Sequence, residues 1–457
     1  MQPQEKFNKA IQAQLSASEF RAQLRQTSAL MNAKRIKARD LYGNYELARL
    51  RASYTKWKVN DNLDKFLIDF EASVVRKGGK VIWAYDVQNA QQEILQIAQK
   101  HQNGKILYSR SALSDEIALS DCFKSNSIPI KAVDFADFII DESRAELFTE
   151  NMPLLGTDAQ QVRNKLNASI RVSIDADTSD IANDIRQHLR QDFYKADLAI
   201  TGATFLIAEG GLVVQSENSA ASRMSYTFAK THLVIAGIDQ LLPSLNEFDL
   251  FTTLYASQKT GENLQSYLTV TSPTDRDDID GPSEFIVLLL DNGRSNVLAS
   301  PDQRQALSCI DCGACNDVCQ VFNYVGASAN YQHFQSGPIS QVVKPLKSGL
   351  KSYGFLSEHS TLCGNCTDVC PLNIDIHNHL IRNRRDAITE GVIETAERIS
   401  WFSWSKLMLS RKNMNRQSSL RNFTFKSFFK KQWGEERELP KIAEKSFNQI
   451  WREQKGL

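Results

Sequence analysis

No stretch of this 457-residue sequence reaches the roughly 18–20 consecutive apolar residues of a membrane-spanning helix. The opening residues, MQPQEKFNKAIQAQ, lack the apolar core of a secretory signal. Both absences lead us to expect a cytoplasmic protein. Before residue 309 there is one cysteine, Cys122, and the other seven fall between 309 and 370. That distribution does not suit a disulfide framework, and Cys122 is expected to be a buried or partly buried thiol. Glycine triplets of the GxGxxG kind, a P-loop lysine and a nucleic-acid-binding motif are all missing. So is any recoverable His/Ser/Asp arrangement, and no repeat exists outside the cysteine motifs.

Net charge is small, at +1, but unevenly spread. Residues 1–60 carry twelve Lys/Arg against four Asp/Glu, and residues 381–457 carry seventeen against nine, so each segment is +8. Residues 301–380 stand at −2, which leaves −13 for 61–300. Basic ends around an acidic middle suggest a docking surface for a partner, a membrane or nucleic acid, alongside the simpler reading of solvated helical faces.

The chain is long enough for two or three structural units. Residues 5–70 have helical periodicity, with Leu47, Leu50, Trp57, Leu63, Phe66, Leu67 and Phe70 expected to pack inward and Gly78-Gly79 ending the run. From Lys80, strands (KVIWAYDV, KILYSR, IPIKAVDF) alternate with helices (NAQQEILQIAQKHQ, SDEIALSDCFKSN). SRAELFTENMP, AQQVRNKLNAS and DTSDIANDIRQHLRQDFYKA are further helix candidates. DLAITGATFLIAEGGLVVQSE, THLVIAGID and SEFIVLLLDN supply more strand. Alternation of this kind predicts an α/β layered fold with a partly parallel sheet. HNHLIRNRRDAITEGVIETAERISWFSWSKLMLS reads as one helix. The basic, aromatic tail from Ser419 is expected to wrap the α/β domain or to meet a membrane or partner. The expected divisions are a helical segment (1–77), the α/β domain (78–300), a cysteine-bearing region (301–385) and a basic helical tail (386–457).

The first cysteine motif is C-x2-C-x2-C-x3-C: Cys309, Cys312, Cys315 and Cys319. A short loop of this kind can turn three thiolates to one face of a four-iron cube, while the fourth cysteine ligates the other cluster of a pair. The same ruler laid on the second stretch gives Ser360, Cys363, Cys366 and Cys370. Cross-pairing then assigns Cys309, Cys312, Cys315 and Cys370 to one [4Fe-4S] cluster. Cys319, Cys363 and Cys366 go to a second, one ligand short. Ser360, His359 or no protein ligand would close that shell, and an incomplete shell is preferred because hard oxygen suits a soft site poorly. A zinc site would use four of the seven and strand three.

With both motifs in place the whole chain resembles a family, the iron–sulfur B subunit of the bacterial lactate-utilisation system. The resemblance is carried by GGKVIWAYD (78–86), DLAITGATFLIAEGGLVV (197–214), HLVIAGIDQLLPSL (232–245) and GPSEFIVLLLDNGRS (281–295). It continues through CIDCGACNDVCQVF (309–322), LCGNCTDVCPLNIDIHNHL (362–380) and LPKIAEKSFNQIW (439–451). EGG at 209–211 and Gln320 depart from the ETG and CP forms of relatives. The resemblance implies a NagB/RpiA/CoA-transferase-like α/β domain with N-terminal helices and a mainly helical, ferredoxin-like region holding two [4Fe-4S] clusters. It implies an electron carrier in a cytoplasmic complex oxidising L-lactate to pyruvate. The partners would be a second cysteine-rich iron–sulfur protein and a smaller protein sharing the α/β domain.

Lactate oxidation removes two electrons, and no nicotinamide or flavin motif stands out, so electron transfer without catalysis in this chain is the expected role. The alternatives are a catalytic subunit binding a hydroxy acid at the incomplete cluster, and a nucleic-acid-binding iron–sulfur protein. Three loops are weaker candidates for binding groups. They are Thr201-Gly202-Ala203 with Glu209, the run Tyr108-Ser109-Arg110-Ser111, and Asp291-Asn292-Gly293-Arg294-Ser295. Arg110 and Arg294 would pair with an anion or with carboxylates of the protein itself.

Overall fold

A computed structural model describes residues 3–101, 103–143, 159–167, 170, 177–273, 281–326, 337–392, 395–415, 422–423, 441 and 443–456. The chain divides into two compact units, Met1–Asp386 and Ala387–Leu457.

Among the described residues, ten strands build the first unit's sheets: β1 (Lys80–Ala84), β2 (Lys105–Tyr108), β3 (Lys131–Ala132), β4 (Ala196–Gly202), β5 (Phe205–Ile207), β6 (Leu212–Glu217), β7 (Thr231–Gly237), β8 (Leu241–Leu242), β9 (Tyr267–Thr271) and β10 (Glu284–Leu290). Six form a parallel sheet in the order β1-β10-β7-β4-β2-β3. Parallel strands are covered on both faces and read as unbroken apolar runs. THLVIAG (β7) is buried at every position and EFIVLLL (β10) at all but its first. Leu233 and Ile235 of β7 face a core built with Ile94 and Phe123, whereas Val234 and Ala236 face one built with Leu67 and Phe70.

The second sheet, β8-β5-β6-β9, was not legible as a separate layer. Phe205 on β5 packs edge-on to Phe251 and Tyr255 of the helix Phe248–Lys259, at ring separations of 5.8 and 6.0 Å. This core runs on into the cysteine loops, joining Phe205 and Phe251 to Cys312, Cys315, Cys366 and Cys370.

Helices α1 (Pro3–Ser16), α2 (Ser18–Ala38), α3 (Tyr45–Asp61) and α4 (Leu63–Arg76) precede the sheet. On α4 the expected stripe packs inward, with Leu63, Leu67 and Phe70 buried. On α3 it does not: Leu47, Leu50 and Trp57 are 61%, 60% and 54% exposed. The buried face of α3 carries Arg49, Ala52, Thr55, Lys56, Val59 and Asn60 instead. Leaving three apolar side chains outside forgoes about 1.5–3 kcal/mol each. Hydrogen bonds from buried cations contribute about 1.5–3 kcal/mol each, a comparable amount, and they supply donors to buried carbonyls.

The α4 helix stops at Gly78, whose φ of +88° is left-handed, as the sequence anticipates. IPIKAVDF yields only the two-residue β3. The segment SRAELFTENMP lies outside the described residues beyond Ser143. The single helix expected from His377 divides into Ile376–Thr389 and Thr395–Met408. Gly391, at φ +70°, turns the chain between them, its N–H donating to the Ile388 carbonyl. In the second unit a helix spans Phe447–Lys455, capped by Ser446. Most of the tail from Ser419 to Pro440 lies outside the described residues. Among the described residues no helix is long and apolar enough to cross a membrane.

Candidate iron–sulfur site and adjoining cleft

The two cysteine loops are built alike at an offset of 51 residues, which carries 309, 312, 315 and 319 onto 360, 363, 366 and 370. Each ligand run follows a short helical turn, Arg304–Ser308 and Phe355–Glu358. Each then takes left-handed backbone at matching positions: Asp311 (φ 59°) with Leu362 (57°), and Gly313 (72°) with Gly364 (86°). One-turn helices follow, Ala314–Asp317 and Asn365–Val369, and these pack together. Gly313 and Gly364 are glycine because a Cβ disfavours that backbone.

Cys312, Cys315, Cys366 and Cys370 are buried, Cys309 and Cys319 are half-buried, and Cys363 is exposed. Burial pushes the Cys312 and Cys366 thiols up to about 12 and raises those of Cys309, Cys315, Cys319 and Cys370. The thiols also act on one another. Cys309 feels Cys312 and Cys370, while Cys366 feels Cys319 and Cys363. Cys315 senses both Cys309 and Cys366 and so stands where the two groups meet. Among the described residues no three His, Cys, Asp or Glu groups converge on one metal ion. A soft, all-sulfur donor set spread through a mostly buried core fits iron–sulfur chemistry, and loading it would release the thiol protons.

Three basic residues of the N-terminal helices are buried against this region. Arg49 donates to the Cys370 carbonyl through Nε (3.0 Å) and Nη2 (2.8 Å), and to the Asp368 carbonyl (3.1 Å). Arg35 pairs with Asp317 and donates to the Gln258 and Lys259 carbonyls. Lys56 donates to the Asp239 and Leu241 carbonyls. Burial lowers Lys56 to about 8, against the opposing pull of Asp239 and Cys309. Part of the positive charge of residues 1–60 therefore faces inward, a role the charge count could not reveal.

Arg294 takes the internal arm of the two expected pairings. Its guanidinium bonds Glu116 (2.9 Å) and Asp239 (2.6 Å), and Lys347 joins the same Glu116. Arg110 likewise pairs with Asp115 (2.8 Å) and approaches Asp137 (3.8 Å).

A cleft of about 470 Å³ opens beyond the carboxyl ends of β2 and β4. The chain leaves β2 towards β3 on one side and β4 towards β7 on the other, so the cleft occupies a topological switch point, where α/β sheets gather ligands. The loop after β2 meets the end of β4 so closely that a Cβ on Gly202 would lie 2.5 Å from the Ser111 Cβ. The run Ser109-Arg110-Ser111 lines the cleft as anticipated. The Thr201–Ala203 cradle is altered. Thr201 and Gly202 belong to β4, and the Gly202 and Ala203 carbonyls accept from Gln215 (2.9 Å) and Gln240 (2.8 Å). Glu209 sits exposed on the β5–β6 turn, away from the wall.

Sequence reasoning missed the acidic lining. Half-buried Asp134 accepts from Ser109 and Ser219, and desolvation raises its carboxyl. Burial raises Glu217 to about 7, with Asp134 adding to the effect. Ile310 and Asp311, between two cysteines of the first motif, complete the wall. These residues come from loops far apart in sequence, and only the strand order brings them together.

Family comparison matches residues 67–290 to the LUD domain and residues 305–374 to the 4Fe-4S dicluster domain. Lactate utilization protein B of Bacillus cytotoxicus is 28% identical over 464 residues, covering 99% of this chain and 98% of that one. The protein of the same name from Bacillus cereus strain AH820 is 29% identical, covering 88% and 85%. A crystal structure of a DUF162 family protein from Deinococcus radiodurans covers 50% of this chain and 98% of its own, at 13% identity and a TM-score of 0.29. The α/β assignment rests on the strand topology above.

Proposed function

We propose that this chain, which matches the LUD domain and the 4Fe-4S dicluster domain, serves lactate utilisation as the iron–sulfur electron-transfer component of a complex oxidising L-lactate to pyruvate. In this reading Cys309, Cys312, Cys315 and Cys370 hold one [4Fe-4S] cluster, and Cys319, Cys363 and Cys366 hold another. The observation that carries it is the crossed neighbourhood, Cys370 beside Cys309 and Cys319 beside Cys363. When bound, such clusters pass single electrons. The chain's own residues position the route: the Cys309–Cys312 loop forms a wall of the cleft, and Cys363 reaches the surface.

Lactate itself is expected to be oxidised by a partner. The cleft presents Asp134, Asp137, Glu217 and Asp311 against Arg110 and Lys259, and Arg110 is already ion-paired. A carboxylate substrate would have to compete with Asp115 and Asp137 for Arg110. The partners are other lactate-utilisation proteins, a second cysteine-rich iron–sulfur protein and a smaller protein sharing the α/β domain. The setting is cytoplasmic, with the basic segments available for peripheral contact with an anionic surface.

Anaerobically purified protein should contain about eight irons and eight acid-labile sulfides. Its EPR signals should appear on adding L-lactate only when the partner proteins are present. Zinc without sulfide would sink the redox reading, and reduction by lactate in the isolated chain would make it the enzyme.

A further inference from the structure

Seven cysteines leave one iron of two cubes without a protein sulfur, and the loop geometry bears on what sits there. In the first loop the Asp311 N–H donates to Cys309 Sγ at 3.4 Å. In the second, the N–H of Leu362, the residue equivalent to Asp311, donates to Ser360 Oγ at 3.2 Å. The hydroxyl oxygen thus holds the place in its loop that a ligand sulfur holds in the other. Both residues are half-buried, and both follow a short helical turn.

Two further observations fix this position. Leu362 holds φ 57°, which is strained for a bulky side chain and persists only where its surroundings demand it. Asp311 tolerates the same backbone more easily. The second loop keeps the ligand-presenting shape although its first position is not cysteine. Arg384 anchors that position from outside, donating to the Ser360 carbonyl (2.8 Å) and the Ser357 carbonyl (2.8 Å). The neighbouring candidate is turned elsewhere. His359 hydrogen-bonds the Phe355 carbonyl through Nδ1 (2.8 Å), and its ring packs edge-on to Phe7 at 4.7 Å.

Against the incomplete shell that ligand softness alone favours, we propose that Ser360 supplies the eighth ligand, through Oγ, to the iron that the seven cysteines leave without sulfur. The inference rests on the two-cluster reading above. Coordination converts the hydroxyl to an alkoxide, and its proton passes to water, so no electron moves in forming the bond. A hard oxygen favours the ferric state more than thiolate does. The second cluster is therefore harder to reduce than an all-thiolate one in the same place.

The test uses full-length protein reconstituted anaerobically with ⁵⁷Fe, compared with Ser360→Ala, Ser360→Cys and His359→Ala by iron analysis, Mössbauer spectroscopy and EPR-monitored redox titration. Ser360→Ala should fall from about eight irons to about seven and show a three-iron signal, with the first cluster unchanged. Ser360→Cys should keep about eight, shift one iron site of the second cluster and raise its midpoint potential. His359→Ala should match the wild type. Full iron and unaltered spectra in Ser360→Ala would overturn the proposal, as would loss of one iron in His359→Ala alone. If Ser360→Ala loses a whole cluster, ENDOR of the wild type in ¹⁷O-enriched water decides: no exchangeable oxygen on the second cluster supports serine ligation, and a bound water oxygen refutes it. Wild-type protein lacking sulfide would remove the iron–sulfur reading itself, a different result from any of these.

Discussion

At the scale of single residues, Arg49 shows how a cation can be structural and sit beside a proposed cluster ligand at once. Its guanidinium satisfies the Cys370 and Asp368 carbonyls at the end of the one-turn helix Asn365–Val369. Arg49→Met keeps much of the bulk but leaves buried acceptors unpaired, at a cost of about 1–3 kcal/mol. The expected outcome is a lower denaturation midpoint and faster loss of iron from the cluster assigned to Cys370, with the other cluster retained. Denaturant titration followed in parallel by visible absorption and EPR checks both. Arg49→Lys keeps the charge but not the forked geometry, and should fall between the two.

At the scale of elements, the proposed crossed assignment predicts the opposite of what sequence adjacency would. Cys319→Ser should damage the cluster that also uses Cys363 and Cys366, and Cys370→Ser the one held by Cys309, Cys312 and Cys315. If EPR of the two variants showed each losing the cluster of its own motif, the crossed assignment would fail. The spacing rule is what predicts this pairing, because three residues between cysteines carry the fourth onto the next element. Strands β2, β7 and β10 are legible in the sequence because buried parallel strands leave unbroken apolar runs. Helix α3 is not. Its apolar periodicity runs along Leu47, Leu50 and Trp57, yet those residues are exposed. The face that turns inward is polar because its partners are carbonyls 180 to 320 residues away, and no local pattern encodes them. The cleft was half legible for the same reason: Ser109–Ser111 follows a strand, whereas Asp134 and Glu217 join it only through the order β4-β2-β3.

At the scale of the first unit as a whole, one buried ion network links regions that the sequence reading treats as separate. Glu116 ends the helix Ala112–Glu116 and Arg294 begins the helix Arg294–Leu298, both following strands of the parallel sheet, and Lys347 belongs to the helix Pro338–Ser348 between the cysteine motifs. Burial alone would raise the Glu116 carboxyl, but Arg294 and then Lys347 outweigh it and hold it well below its usual range. A depressed folded-state value means that the stabilisation is full above the ordinary carboxylate range near 4.5 and is lost as pH falls towards the folded value. Acid should therefore loosen the cysteine region from the sheet. Glu116→Gln should unfold more readily at neutral pH and show a shallower loss of stability below about pH 4.5 than the wild type. Denaturant midpoints measured from pH 7 to pH 3 would reveal an unchanged slope if the network carried no such linkage.

The crossed loops also bear on how the holoprotein is made. Cys309 leaves the ribosome 61 residues ahead of Cys370 and 51 ahead of the position held by Ser360. If each cluster draws on both halves, neither can be completed on a nascent chain that has exposed only the first motif. Insertion then waits until the helix Pro338–Ser348 has folded back and the two loops have met. An assembly factor would have to deliver iron and sulfide to a largely folded chain, and a product truncated before residue 363 would retain the sheet yet hold neither cluster.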